Sequence, residues 1–284
     1  MAVNNSLQIR ATETKMGITK FLNSINVIGN IDQALGKDNR QRFITGVISA
    51  VNTNEALKEC TNQSILSGAL LGESLKLSPS PQLGHYYLVP FNDREKGKVA
   101  QFQLGYKGYI QLAIRSGQYK KLNVLAVKAG ELEYFDPLNE EIKINLMVDN
   151  WDEREEAETI GYYAMFELCN GFRKAIYWSK KQMENHALKY SPGYKAKKGY
   201  TFWEKNFDGM AYKTMLRQLI SKWGVMSVDL QTAFENDMTF TDDAGQKHYG
   251  ETDDDIIEAE VVEIPEEKTE SSNNGDVAAT LFGN

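Results

Sequence analysis

The chain has 284 residues, 42% hydrophobic and 25% charged, which suits one globular domain of about 200 residues with flanking segments. No apolar run approaches the roughly 18 residues that a membrane span needs, and the N-terminus lacks the apolar core of a signal peptide. Two cysteines without paired spacing and three histidines argue against a disulfide scaffold and a clustered zinc site. We therefore expect a soluble, cytoplasmic protein that holds no metal and needs no cofactor.

The net charge of −7 conceals strong local differences. Residues 85–130 contain 8 basic and 2 acidic residues, and residues 161–224 contain 12 basic and 4 acidic ones. Residues 131–160 contain 11 acidic and 2 basic residues, and residues 225–284 contain 16 acidic and 2 basic ones. Because salt screens charges beyond about 8–10 Å, the two basic blocks can form a cationic surface despite the acidic average. Such a surface suits nucleic acid.

Composition divides the chain into three parts. Residues 1–38 are polar and weakly patterned, and we expect an N-terminal arm there, a candidate for oligomerisation. Residues 39–238 should form the folded core. Residues 239–284 are dense in acidic residues, and such a composition cannot bury enough apolar surface to offset chain entropy. We predict a disordered acidic tail, which either solubilises the protein, recruits a partner or shields the basic surface.

Hydrophobic spacing predicts the first elements of the core in chain order. Helices are expected over residues 40–52, 61–75 and 107–116. Strands are expected over residues 86–91, 99–104, 122–127 and 142–146. Pro90 places the first strand at a sheet edge or bulge, because proline cannot donate to a strand ladder.

The clearest local signal is Asn170-Gly171 between the strand-like residues 159–168 and 172–178, a pair that favours a two-residue type I′ hairpin turn. Capping boxes at residues 179–182 and 201–204 predict helices that reach about Tyr190 and Trp223. A basic loop lies between them. Helices, antiparallel strands with an embedded helix, a hairpin and further helices indicate an α+β fold, with an antiparallel sheet and hairpin against packed helices.

Both basic blocks interleave cations with aromatic rings, which suits a groove where cations neutralise phosphates and rings contact bases at about 1–3 kcal/mol per stacked base. Lys107, Gln111 and Arg115 share one face of a predicted helix. The other candidates are Lys120, Lys121, Lys195, Lys197, Lys198, Tyr200, Phe202, Trp203, Lys205, Lys213 and Arg217. Any one lysine is more simply a solvated residue, and core packing explains Trp203 equally well. The argument therefore rests on the concentration of these residues.

Three alternatives stay open at this point. Gly105-Tyr106-Lys107-Gly108 matches the GxxG loop of KH domains, which would indicate a single-stranded RNA-binding regulator, although a plain turn is the commoner explanation. Asp136 with Glu141-Ile142-Lys143 imitates the acidic pattern of metal-dependent nucleases within an acidic block that would repel a phosphodiester. The third alternative is a structural assembly protein whose basic blocks face acidic segments of its neighbouring subunits. Without a GxxxxGK[ST] loop or a nucleophile motif, we expect no catalytic residues and no enzyme.

Five sequence blocks, in this order and spacing, resemble the RecT family of phage and prophage single-strand DNA annealing proteins. The similarity runs over about residues 40–240. The combination of the third and fourth blocks is quite specific. The blocks are Cys60–Ala69, Leu75–Pro79, Tyr87–Phe91, Gln103–Gly108 with Ala113–Gly117, and Phe207–Thr214 with Leu216-Arg217.

The resemblance implies ATP-independent annealing of complementary strands during homologous recombination of phage DNA in a bacterial host cell. It also implies a homo-oligomer, as a ring or helical filament, and a 5′→3′ exonuclease partner. The expected ligands are single-stranded and newly annealed DNA in a basic groove, and a host single-strand-binding protein is a further expected partner. Membrane association is not expected.

Overall fold

The computed structural model describes residues 16–80, 82–93, 96–199, 201–241 and 244–249. In these residues helices pack against antiparallel sheets, which confirms the predicted α+β class. No helix in these ranges is long and apolar enough to cross a membrane.

The helices precede, interrupt and follow the strands. A short 3₁₀ helix, Glu55–Glu59, lies between the third and fourth of them. In chain order the helices are α1 (Ile18–Leu22), α2 (Ile25–Leu35), α3 (Lys37–Thr53), α4 (Asn62–Ser74), α5 (Tyr106–Arg115), α6 (Trp151–Glu156), α7 (Lys180–Tyr190), α8 (Pro192–Lys195), α9 (Phe202–Lys205), α10 (Phe207–Trp223) and α11 (Val228–Asn236).

The strands form two main sheets and one small hairpin. The first sheet has the order β1-β2-β8-β9, with β1 at its edge as Pro90 predicted, and the second has the order β3-β6-β7. Strands β4 and β5 pair with each other. The strands are β1 (Tyr86–Asp93), β2 (Gly97–Leu104), β3 (Tyr119–Lys128), β4 (Leu132–Asp136), β5 (Glu141–Ile144), β6 (Thr159–Leu168), β7 (Arg173–Ser179), β8 (Thr239–Thr241) and β9 (Lys247–Tyr249).

Helix α10 belongs to two hydrophobic cores. Its Leu216 and Ile220 pack into the first core, which helices α1–α5 and α11 share with β1 and β2. Its Met215 and Leu219 pack into the second core, with β3, β6 and α7. Burying a Leu or Met side chain contributes about 1.5–3 kcal/mol, so both faces of α10 stabilise the fold.

The predicted elements are confirmed with ends that move by a few residues, but the turn chemistry differs at Asn170-Gly171. Of the pair, Gly171 alone has a positive φ, of 89°, whereas a type I′ turn needs two. The Gly171 amide donates to the Leu168 carbonyl at 3.0 Å, and the Leu168 amide donates to Phe172 at 2.8 Å. The loop is thus a three-residue turn ending in a left-handed glycine. Asn170 instead accepts the Phe172 amide with its side chain.

Both predicted capping boxes are confirmed, at Ser179 and at Thr201. The second helix, however, is not continuous to Trp223. Asn206, with φ −150°, separates α9 from α10, and its side chain accepts the Gly209 amide at 3.0 Å. A new N-cap therefore starts α10, because the polar side chain satisfies an amide that a continuous helix would have paired internally.

The three-part division stays a prediction, but two of its boundaries fall inside packed structure. Residues 18–35, assigned to the arm, form α1 and α2, and their Leu22 and Ile31 are buried in the first core. Residues 239–241 and 247–249, assigned to the tail, form β8 and β9 of the first sheet. Residues 242–243 and 250–284 of the predicted tail, and residues 1–15, lie outside the described residues.

Two helical glycines provide a matched test of backbone packing. A Cβ at Gly108 in α5 would lie 2.1 Å from the carbonyl oxygen of His85, whereas a Cβ at Gly29 in α2 would meet nothing within 4 Å. We expect Gly108→Ala to destabilise the protein by at least about 2 kcal/mol, because backbone must move. Gly29→Ala should stabilise it by roughly 0.5–1 kcal/mol through helix propensity. Urea denaturation of both variants measures the difference, and equal effects would contradict the packing argument.

Candidate nucleic-acid interface

The Gly105 turn, which comprises Gly105 after β2 and the first turn of α5 (residues 106–108), lies directly on residues 84–85. The Gly105 amide donates to the His85 carbonyl at 2.9 Å. A Cβ at Gly105 would lie 2.2 Å from the Gly84 carbonyl oxygen, which is closer than any side chain permits. The two glycines of the GxxG pattern are therefore required by this close backbone approach. The pattern consequently gives no independent support to a KH-type clamp.

The basic loop between α7 and α9 is anchored by aromatic packing. Trp203 is 5% exposed, and its ring centroid lies 5.1 Å from Phe207 and 6.2 Å from Tyr194. The Gly199 amide donates to Glu204 at 2.8 Å, which ties the end of the loop to α9. Lysines at four positions on and after the loop are exposed, without an ion-pair partner among the residues that the structure describes. They are Lys195, Lys197, Lys198 and Lys205.

The two basic blocks meet at the rings of Tyr87 and Phe202, whose centroids are 5.6 Å apart. Phe202, 38% exposed, follows the basic loop. Tyr87 lies beside Gly84 and the Gly105 turn, and the aliphatic stem of Lys107 passes over Gly84 as well. We call this contact the Tyr87–Phe202 junction. It brings the exposed Lys107 and the lysines around α9 to one region of the surface.

The Lys107, Gln111 and Arg115 side chains are exposed along α5, as predicted. Arg115 also donates to the Leu75 carbonyl at 2.5 Å, so its guanidinium satisfies a backbone carbonyl at the C-terminal end of α4. Burial, with the positive charges of Arg115 and Lys107, lowers the pKa of His85. The neutral imidazole accepts the Ser78 amide at 3.3 Å.

Lys120 and Lys121 are exposed on β3, but both pair with Glu167 on β6, at 2.5 and 3.3 Å. Hydrogen bonds from these two lysines lower the pKa of Glu167. Two cations share one carboxylate, so the site keeps a positive charge. Within the described residues, no hydrogen bond, ion pair or ring contact joins this site to the Tyr87–Phe202 junction.

Lys213 and Arg217 both pair with the buried carboxylate of Asp237. Lys213 is 7% exposed, and its ammonium lies 3.1 Å from the carboxylate of Asp237. Arg217 Nη1 lies 2.9 Å from the same carboxylate and donates to the Tyr109 hydroxyl at 3.3 Å. Burial, followed by the Asp237 charge, raises the pKa of Tyr109. We therefore assign both cations a structural role and leave them out of the candidate interface.

Of the predicted aromatic residues, Phe202 is the one at the junction. Trp203 is buried in the second core, and Tyr200 lies outside the described residues. The sequence prediction missed Tyr87, although strand alternation carries the signal. Tyr86 is 1% exposed, so its neighbour must point to the opposite face of β1.

The residues of the nuclease-like pattern have other partners. Asp136 accepts the Leu138 amide at 2.8 Å and the Asn139 side chain at 2.7 Å, which shapes the β4–β5 turn. The Lys143 ammonium pairs with Glu133. Among the described residues, no group of three or more His, Cys, Asp or Glu side chains could hold a metal ion.

Lys213 and Lys198 allow a matched test of buried and exposed lysine. Lys213→Met removes one of two cations from a buried carboxylate, and we expect a loss of about 1–3 kcal/mol in unfolding free energy. Lys198→Met should change it by less than about 0.5 kcal/mol, because the side chain is exposed and has no ion-pair partner in the described part of the chain. Urea denaturation distinguishes them, and an unchanged stability of Lys213→Met would contradict the structural assignment.

Comparisons with known proteins agree with the sequence resemblance. The RecT family model matches residues 41–255. Protein RecT of Escherichia coli (strain K12) is 29% identical over 225 residues, which cover 78% of this chain and 80% of that protein. The uncharacterized protein YqaK of Bacillus subtilis (strain 168) is 42% identical over 220 residues, covering 77% of this chain and 72% of that protein. The chain therefore belongs to the RecT family of recombination proteins, which bind and anneal single-stranded DNA.

Proposed function

We propose that this protein binds single-stranded DNA across the Tyr87–Phe202 junction and anneals complementary strands without ATP. The observation that carries the proposal is the meeting of two basic blocks at one pair of rings. Cations from both blocks can then neutralise one stretch of phosphate backbone, and the exposed edge of Phe202 can contact a base without reading its identity.

The proposed contacts fall into two groups around the junction. The α5 group is Lys107, Gln111 and Arg115. The loop group is Lys195, Lys197, Lys198, Phe202 and Lys205, and Tyr200 stays a candidate between them. Lys120 and Lys121, which carry one net positive charge with Glu167, form a secondary cationic site.

Annealing follows from such contacts without a chemical step. Complementary strands repel through their phosphates, and each strand alone folds on itself. Binding of phosphate and sugar removes both obstacles and leaves the Watson–Crick edges free. A second strand can then sample registers until base pairing supplies the free energy, so hydrolysis is not required.

The working form that we propose is a homo-oligomer, a ring or a helical filament, because a long strand needs one continuous basic surface across subunits. A 5′→3′ exonuclease would supply its single-stranded substrate, and a host single-strand-binding protein would compete for it or hand it over. These partners follow from the family and from the need for exposed single strands.

Salt dependence tests the interface directly. The logarithm of single-strand affinity should fall with log salt at a slope of about −0.7 per neutralised phosphate. Lys197→Ala combined with Lys198→Ala should flatten that slope by about 1.4 and weaken binding about 25-fold at 0.1 M salt, similarly for all sequences. Fluorescence anisotropy with labelled oligonucleotides measures both quantities.

The matched control replaces two exposed lysines away from the junction, Lys181→Ala with Lys222→Ala, and should leave the slope nearly unchanged. Annealing is measured by adding two complementary labelled oligonucleotides one after the other, in the absence of ATP. A salt response that is flat, or equal in the two double variants, would refute the interface. A requirement for ATP, or Mg²⁺-triggered cleavage, would refute the proposed activity.

A further inference from the structure

One buried carboxylate lies directly behind the turn of the proposed interface. Asp237 is 4% exposed, so it is not itself available to DNA. Its Oδ1 accepts the backbone amide of Leu104 at 2.8 Å, and its Oδ2 accepts the Tyr109 hydroxyl at 3.1 Å. Leu104 is the last residue of β2, and the Gly105 turn begins immediately after it. The carboxylate thus holds both sides of the turn, the end of β2 and the first half of α5.

The Leu104 amide needs this side chain because strand β8 stops short of it. Phe102 is the β2 residue that pairs with Thr239, and the Met238 amide donates to the Phe102 carbonyl at 2.8 Å. Two residues further along β2, the Asp237 oxygen takes the place of the missing strand. A buried amide without a partner would be costly, so the position of Leu104 depends on this acceptor.

The backbone next to Asp237 is held in an uncommon conformation. Met238 has φ 68°, in the left-handed region that a side chain such as methionine rarely adopts. The Gln101 side chain donates to the Met238 carbonyl at 2.5 Å, so β2 holds this residue at both its amide and its carbonyl. Such strain persists where the surrounding structure fixes it, often in support of a functional site.

We infer that Asp237 is a positioning residue for single-strand binding, which fixes the turn that presents Lys107 beside Tyr87. The inference rests on the proposed function. The turn is bounded by glycines, and three contacts hold it: the His85 carbonyl on one side, the Asp237 carboxylate on the other, and the Tyr106 ring, whose centroid lies 5.6 Å from that of Tyr212. A binding group is effective only when such supporting contacts keep its geometry.

The test compares Asp237→Ala with Asp237→Asn, both in a Lys213→Met background, so that the loss of the carboxylate does not leave the Lys213 ammonium buried without its partner. The Lys213→Met single variant is the reference for both. Alanine leaves the Leu104 amide without an acceptor, whereas asparagine keeps an oxygen for it. We expect Asp237→Ala to flatten the salt slope of single-strand binding by about 0.7 and to weaken binding about fivefold at 0.1 M salt, which corresponds to one phosphate contact. Asp237→Asn should recover most of the slope, although both variants lose the charge.

A double-mutant cycle with Lys107→Ala shows whether the effect passes through the turn. If Asp237 acts by placing Lys107, Asp237→Ala should change the slope little once Lys107 is alanine. The matched control is Glu131→Gln, at another fully buried carboxylate, which pairs with Arg154. It should lower the thermal midpoint but leave the affinity and the salt slope unchanged.

The possible outcomes distinguish a failure of the positioning role of Asp237 from a failure of the proposed single-strand binding. Equal salt slopes for the Asp237→Ala and Asp237→Asn variants would overturn the positioning role, and so would independent effects of Asp237→Ala and Lys107→Ala. The proposed function would survive either result if Lys107→Ala alone still flattens the slope. An unchanged slope for Lys107→Ala would overturn the positioning role together with the assignment of Lys107 to the interface.

Discussion

The structure depends on burying helix α10 from both sides. One face of the helix closes the core beneath the first sheet, and the other closes the core against β3 and β6. Two of its cations lie where the packing leaves little room for water, so they need internal partners. Asp237 supplies them for Lys213 and Arg217, and it arrives from the connection that leads into β8.

This arrangement separates the residues that carry charge at the surface from those that support them. The exposed lysines around α9 lie between Tyr194 and Phe207, in a segment that is fixed by the packing of these two rings against Trp203. Lys107 likewise follows a turn fixed by backbone bonds and close glycine contacts. The aromatic and charged residues that the sequence interleaves therefore have different roles. The rings pack inside, because their large apolar area gains more free energy from burial than from exposure, and the charged side chains stay at the surface.

Hydrophobic periodicity and helix-capping residues were enough to predict most of the elements. Local sequence determines α3, α4, α7 and the β1–β2 and β6–β7 hairpins. The candidate site was predictable only in part. Charge density identified the right blocks, but it could not tell Lys198, which is exposed, from Lys213, which pairs with a residue 24 positions away. Strand β8 was missed because its three residues join β2 through one backbone pairing and the bonds around Met238, which no local pattern encodes.

The rings of the Tyr87–Phe202 junction come from opposite halves of the core sequence. During synthesis, a ribosome-bound chain that has completed the first sheet's hairpin still lacks the second half of this surface. Contacts between such distant segments form slowly, because closing a long loop costs entropy before the contact is made. The nascent protein therefore acquires its junction only after α9 and α10 have emerged and packed, which keeps an incomplete chain from presenting the assembled surface prematurely.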